Sequence, residues 1–138
     1  MKIMLDTNII FSALYGGKVA RPLVKYISDH PKFQLFLPIY AIGELRESIE
    51  EKYPEKTPEI NGFLANLNYT PIEIPKNTKL TKFNIRDADD IPILQAATLK
   101  KVDILITGDK DFETVTLKKI KIMTIADFLQ TYVKEQLQ

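Results

Sequence analysis

Acidic side chains follow or precede three segments of the chain that have the pattern of buried strands or helices. Asp6 comes directly after the apolar run "KIML", and Asp109 and Asp111 come after "VDILIT", within "GDKDF". A third acidic group, "DADD" at residues 87–90, comes directly before the helical stretch "IPILQAATLKK". Ligands of open α/β sheets bind beyond the carboxyl ends of the strands. We therefore expect these acids to gather at one edge of a sheet.

Carboxylates that gather at one place need a counter-charge, because like charges raise one another's pKa. Mg²⁺ and Mn²⁺ prefer carboxylate and water oxygens as ligands. The sequence has no Gly-rich loop that could cradle a phosphate. The acids therefore predict a divalent metal site whose substrate brings the phosphate.

Each of these acids also has a structural interpretation when it is taken alone. Asp6 and Asp90 each stand where a helix N-cap is expected, and Asp is a good N-cap residue. Asp109 and Asp111 follow a strand, where Asp is common in turns. It is the set of acids, not any single member, that favours the metal-ligand interpretation.

Glu44 shows where periodicity stops being informative. In "LPIYAIGELRESIEEK" the apolar stripe is Ile42, Leu45 and Ile49, at helical spacing. Glu44 projects away from that stripe, as other glutamates of the same helix do. Periodicity alone predicts a solvated side chain and does not select Glu44 from its neighbours.

Strands alternate with helices along the whole chain, and these elements must position the acids. The predicted strands are 2–5, 33–38, 70–74, 102–107 and 120–125, and the predicted helices are 8–15, 20–30, 39–52, 58–68, 91–101 and 125–136. This alternation predicts an α/β fold with a mostly parallel sheet. "KIML", "LFL" and "DILIT" are continuous apolar runs, which are typical of central strands covered on both faces. Pro71 predicts that the strand at 70–74 lies at an edge, and residues 75–90 have the polar character of a loop.

Composition excludes several classes of protein. The 138 residues, 45% apolar and 27% charged, predict a single globular domain, 1–138. The absence of cysteine excludes disulfides and thiolate metal sites. No apolar run approaches a membrane span and the N-terminus does not resemble a signal peptide, so we expect a cytoplasmic protein without a membrane partner. The net charge of +1 is not that of a protein that coats duplex nucleic acid.

Four segments together resemble a PIN domain: "MLDTNIIFSAL", "LPIYAIGELRESI", "IRDADDIPILQAATLKKVDILITGDKDF" and "IKIMTIADFL". The resemblance covers nearly the whole chain, in the order and spacing of the family. PIN domains are metal-dependent ribonucleases, common as the VapC-type toxins of prokaryotic toxin–antitoxin systems. The resemblance implies a three-layer, Rossmann-like α/β/α sandwich with a central parallel sheet. It further implies one or two Mg²⁺ or Mn²⁺ ions, an RNA substrate, an antitoxin partner and homodimerisation.

The resemblance also implies roles for individual residues. The family's catalytic acids match Asp6, Glu44, Asp90 and Asp109. The metal ligands match Asp6, Asp90, Asp109 and Asp111, with Asp89 as the alternate to Asp90 if the register shifts by one. Asn8 and Thr107 match polar residues that would position the attacking water or the scissile phosphate. In-line attack by a metal-activated water would leave a 5′-phosphate and a 3′-hydroxyl.

RNA that reaches an acidic pocket needs cations nearby. Arg21, Arg46 and Lys110 are the candidates for contact with the nucleic acid, and ordinary surface charge is the alternative for each. Two functions compete with that of a toxin nuclease. The protein could be a catalytically silent PIN scaffold that binds RNA or a protein, or a housekeeping RNA-processing nuclease. A haloacid dehalogenase-type phosphatase would need an aspartate where the chain has Asn8.

Overall fold

The computed structural model describes residues 1–15, 17–73, 91–110, 112, 117 and 119–133. Within them the strands are β1 (Lys2–Leu5), β2 (Gln34–Pro38), β3 (Thr70–Ile72), β4 (Ile104–Ile106) and β5 (Lys121–Met123). The helices are α1 (Thr7–Leu14), α2 (Ala20–Asp29), α3 (Ile39–Lys52), α4 (Thr57–Ala65), α5 (Ile91–Leu99) and α6 (Ile125–Phe128). A 3₁₀ turn, Pro54–Lys56, precedes α4, and a π-helical turn, Leu129–Val133, continues α6.

The five strands form one parallel sheet in the order β3-β2-β1-β4-β5. This confirms the predicted α/β class and its parallel sheet. From β1 the chain first builds the β2 and β3 side and later returns to place β4 on the other side of β1. The strand order therefore reverses between β1 and β4, and open α/β sheets bind ligands beyond such a reversal.

Side chains of the central strands alternate between two apolar cores, one on each face of the sheet. Ile3 and Leu5 of β1 belong to the larger core, beneath α1 to α4 and α6. Met4, between them, belongs to the smaller core, with Ile93 and Leu94 of α5. Helices therefore cover both faces, which explains the continuous apolar runs and confirms the three-layer α/β/α sandwich.

Several predicted elements agree closely with the structure. Strand β3 lies at an edge of the sheet, as Pro71 requires. Helix α3 spans Ile39–Lys52 as predicted, with Ile42, Leu45 and Ile49 buried. The polar stretch predicted to be a loop, residues 75–90, lies outside the described residues. None of the described helices combines the length and apolar character that crossing a membrane requires.

The C-terminal helix differs from the prediction in its geometry. Over the residues described, up to position 133, it is α-helical at Ile125–Phe128 and then widens into a π-helical turn. A π-helix closes its turns between residues five apart. Phe128 and Val133 have that spacing, and both are buried in the larger core. The wider turn therefore keeps both side chains against the sheet.

Arg21 fastens the end of α1 to α2 and α4. Its Nε donates to the carbonyl oxygen of Ala13 at 2.8 Å, and its Nη2 donates to that of Leu14 at 2.6 Å. Its Nη1 pairs with Glu59 at 2.8 Å. The last carbonyls of a helix lack intrahelical partners, so Arg21 satisfies two of them while it joins three helices.

Candidate active site

Neighbouring strands bring the first candidate acid beside the last part of the chain. Leu5 of β1 pairs with Ile106 of β4, so the next residues, Asp6 and Thr107, are side by side at the carboxyl edge. The amide of Asp6 extends the ladder by donating to the carbonyl oxygen of Ile106 at 3.0 Å. The site therefore forms where the strand order reverses, from residues about a hundred positions apart in the chain.

The carboxylate of Asp6 is buried, with an exposed fraction of 2%, and both of its oxygens accept hydrogen bonds. Oδ1 accepts from the backbone amide of Thr7 at 2.7 Å, and Oδ2 accepts from the hydroxyl of Thr107 at 2.7 Å. Asp6 is also the N-cap of α1. The capping and site interpretations are therefore compatible, because one carboxylate begins the helix and also faces β4.

Thr107 connects Asp6 to the turn that carries Asp109. Its hydroxyl donates to Asp6 and accepts from the backbone amide of Asp109 at 3.1 Å. A threonine hydroxyl has a single proton to donate, and here Asp6 receives it. Thr107 in this structure therefore holds a carboxylate and a turn in place, whereas the family resemblance assigns it to water or phosphate.

Burial and a second carboxylate both act on the charge of Asp6. Burial is the largest influence and raises the pKa of Asp6 above its ordinary value. The hydrogen bonds from Thr107 and Thr7 act in the opposite direction, and the negative charge of Asp109 raises the pKa further. A hard divalent cation bound to these carboxylate oxygens would offset both the cost of burying the charge of Asp6 and its repulsion by Asp109. The two described acids therefore fit the implied Mg²⁺ or Mn²⁺ as ligands.

The rest of the predicted ligand set is only partly described. Among the described residues, no group of three or more His, Cys, Asp or Glu side chains is close enough to hold a metal ion. Asp89, Asp90 and Asp111 lie outside the described residues. The structure thus places Asp6 and Asp109 together and leaves the third and fourth ligands as predictions.

Glu44 and Asn8 are exposed. Glu44 lies on α3, away from the buried stripe, as periodicity predicted. Asp6, Asp109 and Glu44 are all described, and they do not form a group close enough to hold a metal ion together. Asn8 lies in the first turn of α1, two residues after Asp6. The role of Glu44 therefore still rests on the family resemblance, whereas Asn8 lies beside the described site.

The three predicted nucleic-acid contacts have different surroundings. Arg46 and Lys110 are exposed, and Lys110 follows Asp109 directly. Arg21 is half-buried, and its guanidinium is engaged by two helix carbonyls and Glu59. The structure therefore gives Arg21 a structural role that the sequence did not indicate.

A cavity of about 430 Å³ adjoins Asp109 at the carboxyl ends of β4 and β5. Its polar lining comes from Thr107, Asp109, Lys110, Thr124 and Asp127. Thr124 caps α6 by accepting from the amide of Asp127 at 3.1 Å. The sequence did not single out Thr124 or Asp127, although polar residues directly after each strand include Thr124, and Asp127 lies in the helix turn that Thr124 caps.

A family model described as "PIN domain" matches residues 2–111. The chain belongs to the PIN domain family. The matched region contains Asp6, Thr107 and Asp109, so the described site lies within the part of the chain that the family model covers. The resemblance read from the four segments is confirmed.

Solved structures with the same fold come from VapBC complexes. This PIN domain superposes on VapBC2 from Rickettsia felis bound to a DNA fragment from their promoter with a TM-score of 0.65 and 14% identity. It superposes on DNA-bound VapBC from Salmonella typhimurium with a TM-score of 0.62 and 17% identity. The matches cover 90% and 91% of this chain and 98% of each matched chain. At this identity they establish the fold alone, and no curated protein sequence matches the chain.

Proposed function

We propose that this PIN domain is a metal-dependent endoribonuclease that hydrolyses RNA phosphodiester bonds as the toxin of a toxin–antitoxin pair. One observation carries the proposal. The hydroxyl of Thr107 joins a buried Asp6 to the turn that carries Asp109, at the strand reversal of a PIN fold. A buried carboxylate with a second, partly exposed carboxylate nearby is costly in the absence of a counter-charge, and it is useful where a cation binds.

Asp6 and Asp109 would hold Mg²⁺ or Mn²⁺, with Asp90 (or Asp89) and Asp111 completing the ligands and Glu44 as the fourth catalytic acid. A bound divalent cation supplies charge to offset that of the phosphodiester and lowers the pKa of a coordinated water. Thr107 keeps the Asp6 carboxylate oriented by donating to Oδ2. The number of ions, one or two, belongs to the same proposal.

The start of α1 supports an anionic substrate at this place. α1 begins at Thr7, directly after Asp6, and the N-terminus of a helix presents positive partial charge. Asn8 lies in this first turn with an exposed side chain. Its amide group would donate to a phosphate oxygen or hold the attacking water. Lys110 and Arg46, both exposed, would contact the flanking phosphates.

The fold neighbours guide the choice of protein partner. Both are VapBC complexes, and this PIN domain matches 98% of each matched chain. We therefore propose a cognate antitoxin that blocks access to the acidic site, and a homodimer of the toxin. Co-expression with the small open reading frame that neighbours the gene tests the antitoxin: rescue of toxicity and co-purification support it, and absence of both contradicts it.

An RNA cleavage assay tests the enzymatic proposal. The purified protein is incubated with tRNA, rRNA and mRNA pools in Mg²⁺ or Mn²⁺, with and without EDTA, and the product ends are mapped. We expect EDTA-sensitive cuts that leave a 5′-phosphate and a 3′-hydroxyl. Cleavage that persists in EDTA, cyclic phosphate ends, or no cleavage of any pool would contradict the proposal.

A further inference from the structure

Three aromatic rings form a partly exposed row on α1 and beyond the end of α3. Phe11 and Tyr53 have exposed fractions of 40% and 44%, and Tyr15 between them is half-buried. The ring centroids of Phe11 and Tyr15 are 4.4 Å apart, and those of Tyr15 and Tyr53 are 5.6 Å apart in an edge-to-face arrangement. We refer to Phe11, Tyr15 and Tyr53 as the aromatic face. The three rings form a continuous surface, and two of them are exposed to solvent and not packed in the core.

The aromatic face starts next to the candidate active site. Asn8 and Phe11 lie at positions i and i+3 of α1, and Tyr15, the C-cap of that helix, follows at i+7, so the three lie along one side of it. With a rise of 1.5 Å per residue, Phe11 lies about 7.5 Å along the helix axis from Asp6, and Tyr15 lies about 13.5 Å from it. A strand of nucleic acid held at Asp6 and Asn8 would therefore meet Phe11 within a few nucleotides.

One cation lies over the far end of the aromatic face. The Nζ of Lys56 is 5.2 Å from the ring centroid of Tyr15 and 6.0 Å from that of Tyr53. Among the described residues, no carboxylate is within salt-bridge distance of this ammonium. Glu55 also acts on Tyr15, whose pKa is raised by partial burial first and then by Tyr53 and Glu55. The charge at this end is therefore mixed, and the rings rather than a strong positive field distinguish the surface.

We propose that the aromatic face is a base-stacking surface for single-stranded RNA next to the cleavage site, an inference that rests on the proposed ribonuclease function. Single-stranded nucleic acid is held by stacking bases on aromatic rings, with cations on the backbone, and this needs no base identity. Duplex RNA hides its base faces, so the aromatic face selects unpaired substrate. Lys56 would meet the phosphate of a stacked nucleotide.

The proposal is tested by measuring RNA binding to the Asp6→Asn variant, which is expected not to cleave the RNA and serves as the background. Fluorescence anisotropy of a labelled, unstructured oligouridylate is measured with Asp6→Asn alone and with Phe11→Leu or Tyr53→Leu added. Leucine keeps apolar bulk and removes the ring, so we expect about tenfold weaker binding from each change. Phe11→Trp, which keeps a stacking ring, should bind as well as the background. Leu99→Ala, an exposed apolar change on α5 with 48% exposure, is the matched control and should have no effect.

The outcomes separate this inference from the proposed function. If wild type cuts RNA and the leucine variants bind RNA as tightly as the background, the stacking surface is wrong and the nuclease stands. If the leucine variants instead lose dimer or antitoxin binding while RNA affinity holds, the aromatic face is a protein interface, which also overturns the inference. If wild type neither cuts nor binds RNA, both fail. Thermal unfolding of each variant verifies that the fold is retained.

Discussion

At the scale of single residues, the site depends on how Asp6 is held. Its carboxylate is buried, one oxygen is bound by the backbone of Thr7, and the other is bound by the hydroxyl of Thr107. The same hydroxyl accepts from the amide of Asp109. Thr107 therefore orients one acid directly and the turn of the other, which makes it a positioning residue for both.

Thr107→Val removes this hydroxyl while it keeps the shape of the side chain. A buried carboxylate oxygen and a backbone amide each lose a partner, so we expect a loss of about 1–3 kcal/mol in the free energy of unfolding. RNA cleavage should fall as well, because Asp6 keeps only the hydrogen bond from the Thr7 amide and is less firmly oriented. Urea denaturation and cleavage rates measure the two effects. Thr107→Ser, which retains the hydroxyl, is the control, and equal losses in both variants would contradict this role.

The raised pKa of Asp6 gives a pH dependence of stability with a definite sign. Because the folded state holds the proton more tightly than the unfolded state, stability falls as pH rises from the unfolded pKa through the folded pKa. In EDTA at neutral pH, Asp6→Asn should therefore be more stable than wild type. The difference should shrink as the buffer is acidified below the folded pKa. Chemical denaturation across pH tests this, and a wild type that is more stable than Asp6→Asn at neutral pH would contradict it.

At the scale of elements, the parallel sheet explains which parts of the site were predictable. The acids after "KIML" and "VDILIT" could be placed together from the sequence, because parallel strands end at one edge. The pairing of β1 with β4 depends on how the helices pack on both faces of the sheet. No local sequence pattern specifies that packing. The position of Glu44 likewise depends on the packing of α3, so periodicity described its face and not its function.

The role of Arg21 could not be predicted for the same reason. Its partners, the carbonyls of Ala13 and Leu14 and the carboxylate of Glu59, come from other helices or from the end of α1. The sequence therefore offered only its charge, which made it a candidate for contact with RNA. A side chain whose donors are engaged by the protein has a stabilising function that can be measured.

Arg21→Lys should destabilise the protein by about 2 kcal/mol, because an ammonium cannot reproduce the fork that bonds both helix carbonyls. Arg46→Lys, a matched change at an exposed arginine, should stay within about 0.5 kcal/mol of wild type. Urea denaturation compares the three proteins. Equal stability of Arg21→Lys and Arg46→Lys would show that the contacts of Arg21 contribute nothing.

At the scale of the whole molecule, family membership and fold agree with what the sequence predicted. The PIN domain model matches residues 2–111, and the sheet order places the strand reversal between β1 and β4. The order of the motifs along the chain indicated the family, and the continuous apolar runs predicted the central parallel strands. Partner, metal and substrate depend on surfaces and ligands rather than on chain pattern, so they remain proposals that the described site supports.

The central claim of the proposed mechanism is that RNA cleavage requires both a divalent metal ion and the carboxylate of Asp6. The decisive measurement is the single-turnover cleavage rate of RNA as Mn²⁺ is titrated, for wild type, Asp6→Asn and the control Asp29→Asn. Asp29 is an exposed acid at the end of α2, paired with Lys25 at 3.3 Å. The mechanism predicts a saturable, Mn²⁺-dependent rate that Asp6→Asn lowers by about a hundredfold or more and Asp29→Asn leaves unchanged. A rate independent of Mn²⁺, or equal for wild type and Asp6→Asn, would contradict it.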